Sequence, residues 1–361
     1  MASGSLTLKL TALFLILFDL VFFINKPPGA VFSRNPVSGG VVSDSVQPEN
    51  IANCVIPPET GIKKAQTLLF TGDMMFDREV EILMKKNGAS YPFMGIGELF
   101  EGKDMVIGNL EGPVVKVPED FPRSSLTFNF MPQTGEALAG AKFNLVSLAN
   151  NHTGNRGDQG VLETREILKN NGIDFMGDAI TCGNSSMFVK EDLVFLAFNK
   201  TYPQNCSDAE LSKAVETARA YYPDGFVVVM MHWGEEYKPV NNAPQQKLGR
   251  LIIDSGADVV IGHHPHVAQN IEIYNNKPIF YSLGNFIFDQ YFSRETQEGL
   301  TVGAEVYRDK VVYRLFPVDI GQSQPHLMSE ENRLKFLRRI AAYSDPALKE
   351  DISNGVLSII R

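Results

Sequence analysis

Residues 259–267 read VVIGHHPHV, an apolar run that is followed directly by three histidines. Four other apolar runs also end on polar side chains, and these ends are Thr71-Gly72-Asp73, Gly108-Asn109-Leu110-Glu111-Gly112, Ala149-Asn150-Asn151-His152 and Met231-His232-Trp233-Gly234-Glu235. In an open α/β sheet, ligands bind beyond the carboxyl ends of the strands. The sequence therefore predicts that five strand ends deliver carboxylates, amides and imidazoles to one edge of a sheet.

Around these ends, short apolar runs alternate with helical stretches from Gln66 onward, which predicts an α/β domain. The predicted strands are 67–71, 105–108, 145–148, 193–198, 226–231, 259–261, 279–283, 300–306 and 311–317. The predicted helices are 79–86, 160–170, 209–221, 245–255 and a surface helix at 330–342. Because the last three strands follow one another closely, that part of the sheet is expected to be antiparallel or mixed.

The histidines indicate what the strand ends do. Five of the six lie in these clusters, and only His326 lies elsewhere. Imidazole together with carboxylate and amide oxygen suits a divalent transition metal, and a site without thiolates is typical of a catalytic rather than a structural metal. Alternate residues of an extended segment point the same way, so His264 and His266 are expected to face one ion while His263 points away.

Each cluster also has a purely structural interpretation. Asp73 could cap a turn or a helix, Glu111 could be a solvated turn residue, and His232 could pack beside the only tryptophan. The pair Asn151-His152 could form a turn. Since such explanations would have to hold at five successive strand ends, a metal site is the favoured interpretation.

Six segments, in order, carry a resemblance to a known family. They are Thr71-Gly72-Asp73-Met74-Met75, Gly108-Asn109-Leu110-Glu111, Ser147-Leu148-Ala149-Asn150-Asn151-His152, His232-Trp233-Gly234-Glu235, Gly262-His263-His264-Pro265-His266-Val267 and Tyr281-Ser282-Leu283-Gly284-Asn285-Phe286. From about Leu68 to Phe316 the chain resembles the capsule-synthesis family of CapA and the poly-γ-glutamate synthesis protein PgsA, which in turn resembles the calcineurin-like metallophosphoesterases. The resemblance implies an α/β sandwich of mixed sheets flanked by helices.

The metallophosphoesterase motifs carry over with two departures. Asp73 matches the first motif, Asp-x-His, but Met75 stands where the histidine would be. The second motif, Gly-Asp, appears as Gly108-Asn109, and Glu111 is the expected anionic ligand there. The metal ligands that the resemblance implies are Asp73, Asn109, Glu111, Asn151, His232, His264 and His266. They would hold one or two divalent ions per chain, of Mn, Zn or Fe.

The same resemblance suggests catalytic roles for three further residues. His152 would be the general acid for the leaving group. Glu235 would orient His232 or accept a hydrogen bond near it. Arg78 would steer an anionic group, unless it is simply a surface arginine.

Composition and charge limit the functions that remain. With 33 Lys and Arg against 42 Asp and Glu, the chain carries a net charge of −9 and lacks the basic footprint of a nucleic-acid binder. The family implies a role in making capsule or poly-γ-glutamate. The alternatives are a metal-dependent hydrolase of an anionic polymer or phosphoester, a non-catalytic scaffold or export component of a polymer synthase complex, and a secreted phosphoesterase unrelated to capsule.

The N-terminus indicates where the chain acts. Residues 10–24 are almost wholly apolar and follow Lys9, which favours a signal anchor over 1–25; a cleaved signal peptide and a buried core helix are the alternatives. Residues 26–64 are predicted to be a tether, 65–320 the main domain and 321–361 a helical tail. The anchor would place the domain outside the cytoplasm at a membrane, where a Cys182–Cys206 bridge could form.

Overall fold

The computed structural model describes residues 65–122, 124–182, 186–202 and 205–361. The predicted anchor and tether therefore lie outside the described residues. None of the helices in the described ranges combines the length and the apolar character that a membrane span requires.

Fifteen strands are present among the described residues. Their bounds are β1 (Gln66–Met74), β2 (Met105–Leu110), β3 (Leu145–Ser147), β4 (Asp174–Met176), β5 (Met187–Lys190), β6 (Leu193–Asn199), β7 (Phe226–His232), β8 (Val259–His263), β9 (Ile271–Tyr274), β10 (Lys277–Phe280), β11 (Asn285–Ile287), β12 (Glu298–Val306), β13 (Lys310–Gly321), β14 (Gln324–Leu327) and β15 (Val356–Ile360). The central strands β2, β6, β7 and β8 are buried along their whole length, which explains why they read as continuous apolar runs.

The helices connect these strands and cover the sheets. Their bounds are α1 (Arg78–Asn87), α2 (Gly97–Phe100), α3 (Gln133–Gly140), α4 (Gly157–Asn170), α5 (Asp208–Tyr221), α6 (Ala243–Asp254), α7 (Glu330–Tyr343) and α8 (Lys349–Asn354). Two of them begin with a reciprocal capping box, Ser207 with Glu210 in α5 and Asn242 with Gln245 in α6. These caps satisfy amide groups that a helix start would otherwise leave without partners.

The strands form two mixed sheets. The first runs in the order β14-β13-β12-β1-β2-β3-β4, with β11 paired to β1 and β15 paired to β13; the second runs β5-β6-β7-β8-β10-β9. In the first sheet, β1 to β4 are parallel while β12 pairs antiparallel with both β1 and β13. In the second, β6, β7, β8 and β10 are parallel and the two edge strands are antiparallel.

Alternation along the strands divides the core into three apolar layers. Phe70 of β1 and Phe195 of β6 belong to one buried cluster that joins the two sheets. The preceding residues, Leu69 and Val194, belong to two other clusters, which the helices cover on the outer faces. Because successive side chains of a strand point to opposite faces, one strand supplies both layers. The predicted class, an α/β sandwich of mixed sheets flanked by helices, is confirmed.

Each predicted strand and helix overlaps an observed one, but two expectations about organisation differ from the structure. The strand predicted at 279–283 is β10, which pairs with β8 and β9 in the second sheet rather than with β12 and β13. The predicted helical tail contains α7 and α8, yet it also supplies β14 and β15 to the first sheet. Those strands are short and partly exposed, so they lack a clear apolar signature.

The disulfide that the sequence alone could not decide is present. Cys182 and Cys206 are joined by a disulfide, with their Cα atoms 5.8 Å apart. It ties the segment before β5 to the segment before α5.

Candidate metal centre

The polar strand ends converge at one place in the sandwich, although the expected single sheet edge is wrong. Asp73 and Glu111 come from the ends of β1 and β2 in the first sheet, whereas His232 and His264 come from the ends of β7 and β8 in the second. The site therefore lies where the carboxyl ends of both sheets meet. The strand ends thus lie together as predicted, but they come from two sheets and not from one.

Glu111 lies at the centre of this arrangement. Its Oε1 is 3.9 Å from the Nε2 atoms of His152 and His232 and 3.7 Å from that of His266. Among the described residues, neither of its buried oxygens has a hydrogen-bond partner. Burial, followed by the charge of Asp73, raises the pKa of Glu111 well above its usual range. A buried carboxylate without donors is costly unless a cation neutralises it.

Asp73 is the second buried carboxylate, and it is fully hydrogen-bonded. Its Oδ1 accepts from the Asn109 side-chain amide at 2.8 Å, and its Oδ2 accepts from the backbone amide of His264 at 3.0 Å. Burial raises the pKa of Asp73, but the hydrogen bond from His266 and the surrounding histidines outweigh burial and lower it below its usual range. Asp73 is thus held as an anion.

Asn285 fixes the orientation of His266. Its side-chain amide donates to the Gln290 Oε1 at 3.0 Å and to the Thr296 carbonyl at 2.9 Å, so its Oδ1 is the atom left to pair with His266 Nδ1 at 3.0 Å. Nδ1 of the ring is therefore a donor, and its Nε2 is directed at Glu111. Burial alone would lower the pKa of His266, but the charges of Glu111 and Asp73 raise it to about 9.

The two histidines of His264-Pro265-His266 reach the site by a route that differs from the predicted one. Strand β8 ends at His263, and His264 and His266 have φ angles of 96° and 58°, so the segment is a turn rather than an extended strand. The Nδ1 of His264 is buried and has no partner among the described residues. His263 is directed elsewhere, since its Nε2 donates to the Thr71 carbonyl at 3.1 Å.

His232 is held between two asparagines. Its Nε2 lies 2.7 Å from Asn151 Oδ1, and its Nδ1 lies 3.3 Å from the Asn109 amide nitrogen. The Asn109 oxygen accepts from Asn150 at 3.2 Å. Asn109 therefore presents its amide nitrogen to Asp73 and His232 and positions both of them, while its predicted role as a metal ligand stays a prediction. Asn150, which the sequence reasoning gave no role, supports it.

Among the described residues, three groups of side chains have ligand atoms within 4.8 Å of one another. They are Glu111 with His232 and His264, Asp73 with Glu111 and His266, and Glu236 with His264 and His266. Glu111 belongs to two of them, so two positions can share it. Imidazole and carboxylate donors without thiolates fit a divalent metal ion.

Glu236 was missed by sequence reasoning, which chose its neighbour. Glu235 is exposed and accepts a hydrogen bond from Asn242 at 3.1 Å, and the hydrogen bonds of the described residues do not join it to His232. Gly234, with a φ of 91°, redirects the chain after β7. After such a turn, the alternation of side chains along a strand no longer predicts which of Glu235 and Glu236 points to the site.

The remaining predicted residues lie at the rim of the centre. His152 packs on Phe128 with ring centroids 4.3 Å apart, and its Nδ1 is 3.1 Å from Asn155 Oδ1. Burial lowers the pKa of His152 to about 4. Arg78 is ion-paired with Asp289 and lies 5.0 Å from the Phe128 ring centroid, so it is a packed, paired arginine rather than a free surface one.

The chain is similar to a protein-family model and to several known proteins. A family model described as "Bacterial capsule synthesis protein PGA_cap" matches residues 67–290. The PGA biosynthesis protein CapA of Bacillus subtilis is 29% identical over 275 residues, covering 71% of this chain and 72% of that protein. The capsule biosynthesis protein CapA of Bacillus anthracis is 28% identical over 286 residues, covering 72% and 68%.

Two more distant similarities complete the comparison. A probable polyglutamine synthesis accessory protein of Mycobacterium tuberculosis is 24% identical over 214 residues, covering 52% of this chain and 56% of that protein. Among solved structures, a purple acid phosphatase from yellow lupin seeds is 10% identical, with a TM-score of 0.37, and the match covers 73% of this chain and 53% of that one.

Proposed function

We propose, starting from the fact that this chain belongs to the bacterial capsule synthesis protein family PGA_cap, that its metal centre hydrolyses an anionic polymer or a phosphoester during capsule or poly-γ-glutamate synthesis. The family gives the biological context, and the site gives the chemistry. Glu111 is the observation that carries the proposal. A fully buried carboxylate with two unpartnered oxygens, facing three imidazoles, is arranged to bind cations.

The residues divide into those that would bind the metal and those that would serve the substrate. Asp73, Glu111, His232, His264 and His266 would hold one or two divalent ions, with Glu236 and Asn151 at the rim. A bound divalent metal supplies Lewis-acid chemistry, since it activates water and polarises a phosphoryl or carbonyl oxygen.

His152 would move the proton to the leaving group. Asn155 Oδ1 accepts from the Phe128 amide at 2.7 Å and pairs with His152 Nδ1, which keeps the proton on Nδ1 and leaves Nε2 directed at the site. With a pKa of about 4, the free ring is neutral at pH 7. An anionic substrate beside it favours the protonated ring, which then acts as a general acid.

A non-catalytic scaffold is the second candidate, and one observation favours it. Met75 occupies the place of a histidine ligand of the metallophosphoesterase pattern, and it is fully buried. Its sulfur accepts from the Asp77 backbone amide at 3.0 Å. One position of a dinuclear site thus has one imidazole fewer, which weakens metal binding there.

Other chains would complete the synthesis machinery. The sequence has no Gly-x-x-x-x-Gly-Lys-Ser/Thr loop with which to activate a monomer by ATP. The relative from M. tuberculosis is named as a synthesis accessory protein. We therefore propose that this chain acts in a complex with a polymer synthase.

Metal analysis combined with a hydrolysis assay tests the proposed activity. The purified chain should contain a divalent metal and hydrolyse bis(p-nitrophenyl) phosphate or poly-γ-glutamate. His264→Ala should lose metal because His264 belongs to two of the ligand groups found among the described residues, where its buried Nδ1 has no partner. His263→Ala should keep metal but lose about 1–3 kcal/mol of stability through the unpaired Thr71 carbonyl. Equal metal loss in both variants would show that the assignment of His264 as the ligand and His263 as a structural residue is wrong. Metal without hydrolysis of either substrate would reject the enzyme.

The predicted membrane anchor is a separate proposal, supported by the apolar run at 10–24. The intact chain should remain with membranes after a high-salt wash, because apolar anchoring does not depend on ionic strength. A variant that lacks residues 1–64 should be recovered in the soluble fraction. Full-length protein that is processed near Ala30 and released would contradict the anchor and favour a cleaved signal.

A further inference from the structure

An exposed pair of aromatic rings lies beside the metal centre and is not among the ligands that the centre offers. Tyr237 is 42% exposed and Phe292 is 67% exposed. Their ring centroids are 5.2 Å apart with an interplanar angle of 84°, and the Tyr237 ring centroid is 6.1 Å from that of His266. We call this pair the aromatic corner, because its two nearly perpendicular rings form a floor and a wall.

The backbone of Tyr237 has a conformation that bulky residues rarely adopt. Its φ angle is 62°, in the left-handed region that favours glycine and strains larger residues. Residues in such conformations cluster at functional sites, where the surrounding structure holds them in place. Here the Tyr237 amide donates to the Pro265 carbonyl at 2.8 Å, which ties Tyr237 to the turn that carries His264 and His266.

The hydroxyl end of the Tyr237 ring is fixed as well. Gln290 Nε2 donates to this hydroxyl at 3.2 Å, and Gln290 Oε1 accepts from Asn285, the residue that orients His266. The Tyr237 hydroxyl is also hydrogen-bonded to the Glu236 side chain. Because the backbone and the hydroxyl are both held, the Tyr237 ring keeps one orientation although it is exposed.

Phe292 lies on a segment whose neighbouring residues are anchored. Asp289 is ion-paired with Arg78, and the hydroxyl of Tyr291 is hydrogen-bonded to that of Ser323. The segment is thus held in place while the Phe292 ring stays exposed. Aromatic rings on a rigid support lose little conformational entropy when they bind a ligand.

The aromatic corner offers ring faces and ring edges but few free polar groups. Both ends of the Gln290 amide are engaged, with Asn285 and Tyr237, and Glu236 belongs to a group of possible metal ligands. A sugar ring would need hydrogen bonds for its hydroxyl groups. A planar unsaturated ring needs only stacking and edge contacts, which two perpendicular rings supply together. The corner therefore fits a planar ring better than a sugar.

We propose that the aromatic corner binds a planar ring on the non-leaving substituent of a phosphodiester whose phosphoryl group lies at the metal centre. This rests on the proposed function and names its substrate class as an aryl or nucleoside phosphodiester. Hydrolysis adds water across the bond between phosphorus and the leaving oxygen, and that oxygen takes its proton from His152. His152 packs on Phe128, whereas Tyr237 lies beside His266, so the corner is left for the other substituent.

Three esters that share the p-nitrophenolate leaving group test this proposal on the full-length chain in detergent with Mn²⁺. Their other substituents are methyl, p-nitrophenyl and 5′-thymidine. Phe292→Ala should lower kcat/KM about tenfold for the two esters that carry a further ring, mainly through KM, and less than about twofold for the methyl ester. Each variant is compared with wild type on the same ester, so differences in intrinsic reactivity cancel. A loss confined to one ring ester would identify which ring the corner binds.

Two variants serve as controls. Tyr221→Ala removes a ring that is 76% exposed at the end of α5, which ends shortly before β7 begins, whereas His232 is the last residue of β7; it should change kcat/KM less than about twofold on every ester. Phe292→Leu keeps an apolar side chain without a ring and should lose most of the preference for ring esters. Full preference in Phe292→Leu would overturn the aromatic assignment.

Further outcomes separate the aromatic corner from the proposed function. Normal turnover with equal losses on all three esters, or with no loss on any, would overturn the corner and keep the function. A changed oligomeric state of Phe292→Ala with unchanged kinetics would assign the rings to a protein contact instead. If no ester is hydrolysed, the proposed function fails, and calorimetric binding of phenylphosphonate and methylphosphonate then decides. A preference for phenylphosphonate that Phe292→Ala removes would support the corner, and equal binding of the two would overturn it.

Discussion

Replacing Glu111 with glutamine is expected to stabilise the metal-free protein and to abolish its stabilisation by metal. The Glu111 carboxylate is fully buried and lacks hydrogen-bond donors among the described residues, and burial raises its pKa well above the usual range. An acid whose folded-state pKa is raised contributes most stability below its ordinary pKa and loses it as pH rises through the raised value. Metal-free Glu111→Gln should therefore be more stable than wild type by about 1–3 kcal/mol at alkaline pH, and about equal near pH 4.

Thermal unfolding in EDTA and in excess Mn²⁺ or Zn²⁺ measures both effects. Wild type should gain about 2.7 kcal/mol at a metal concentration of 100 Kd, whereas Glu111→Gln should gain almost nothing. Glu235→Gln is the matched control, since Glu235 contacts Asn242 at an exposed position; it should respond to metal as wild type does. A Glu111→Gln variant with a normal metal response would remove Glu111 from the ligand set.

Replacing His152 with alanine is expected to reduce turnover by about 10²–10⁴-fold while leaving the metal content unchanged. His152 is anchored by Asn155 and Phe128 at the rim and presents Nε2 to the site. We therefore expect His152 to act on the substrate and not on the ligand cluster. His326→Ala is the control, because His326 is exposed and lies outside the candidate centre.

The pH dependence of kcat/KM distinguishes two roles for His152. The pKa of the free ring is about 4, so as a general acid it would give a kcat/KM that falls as pH rises above that value. As a general base it would give a kcat/KM that falls as pH drops through about 4. The fall in kcat/KM near this pKa should be absent in His152→Ala. Loss of metal in that variant would instead identify His152 as a ligand.

Strands buried on both faces were predictable because burial leaves a continuous apolar run, as in β7. The edge strands β5 and β9 and the late strands β14 and β15 were not predicted, since they are short and partly exposed. Helix α3 was also missed, because small residues such as Gly135 and Ala137 give it little apolar periodicity. β10 belongs to the second sheet because it pairs with β8 and β9, and the choice of partner strand leaves no local pattern in the sequence.

The candidate ligands could be predicted where the residue type alone suggests metal binding, as for Asp73, Glu111, His264 and His266. It was not predictable where backbone turns decide. Gly234 and His264 have positive φ angles, so alternation could neither select Glu236 over Glu235 nor describe the path to His266. The supporting roles of Asn150 and Asn285 also depend on which amide atom faces which neighbour.

The position of β1 has a consequence for how the chain is made. β1 lies between β2, which follows soon after it, and β12, which is translated only after the whole second sheet. During synthesis, the side of β1 that will face β12 remains an unpaired apolar edge on the nascent chain. Such edges attract other strands, so early release or truncation before residue 306 should leave a product prone to aggregation and dependent on chaperones.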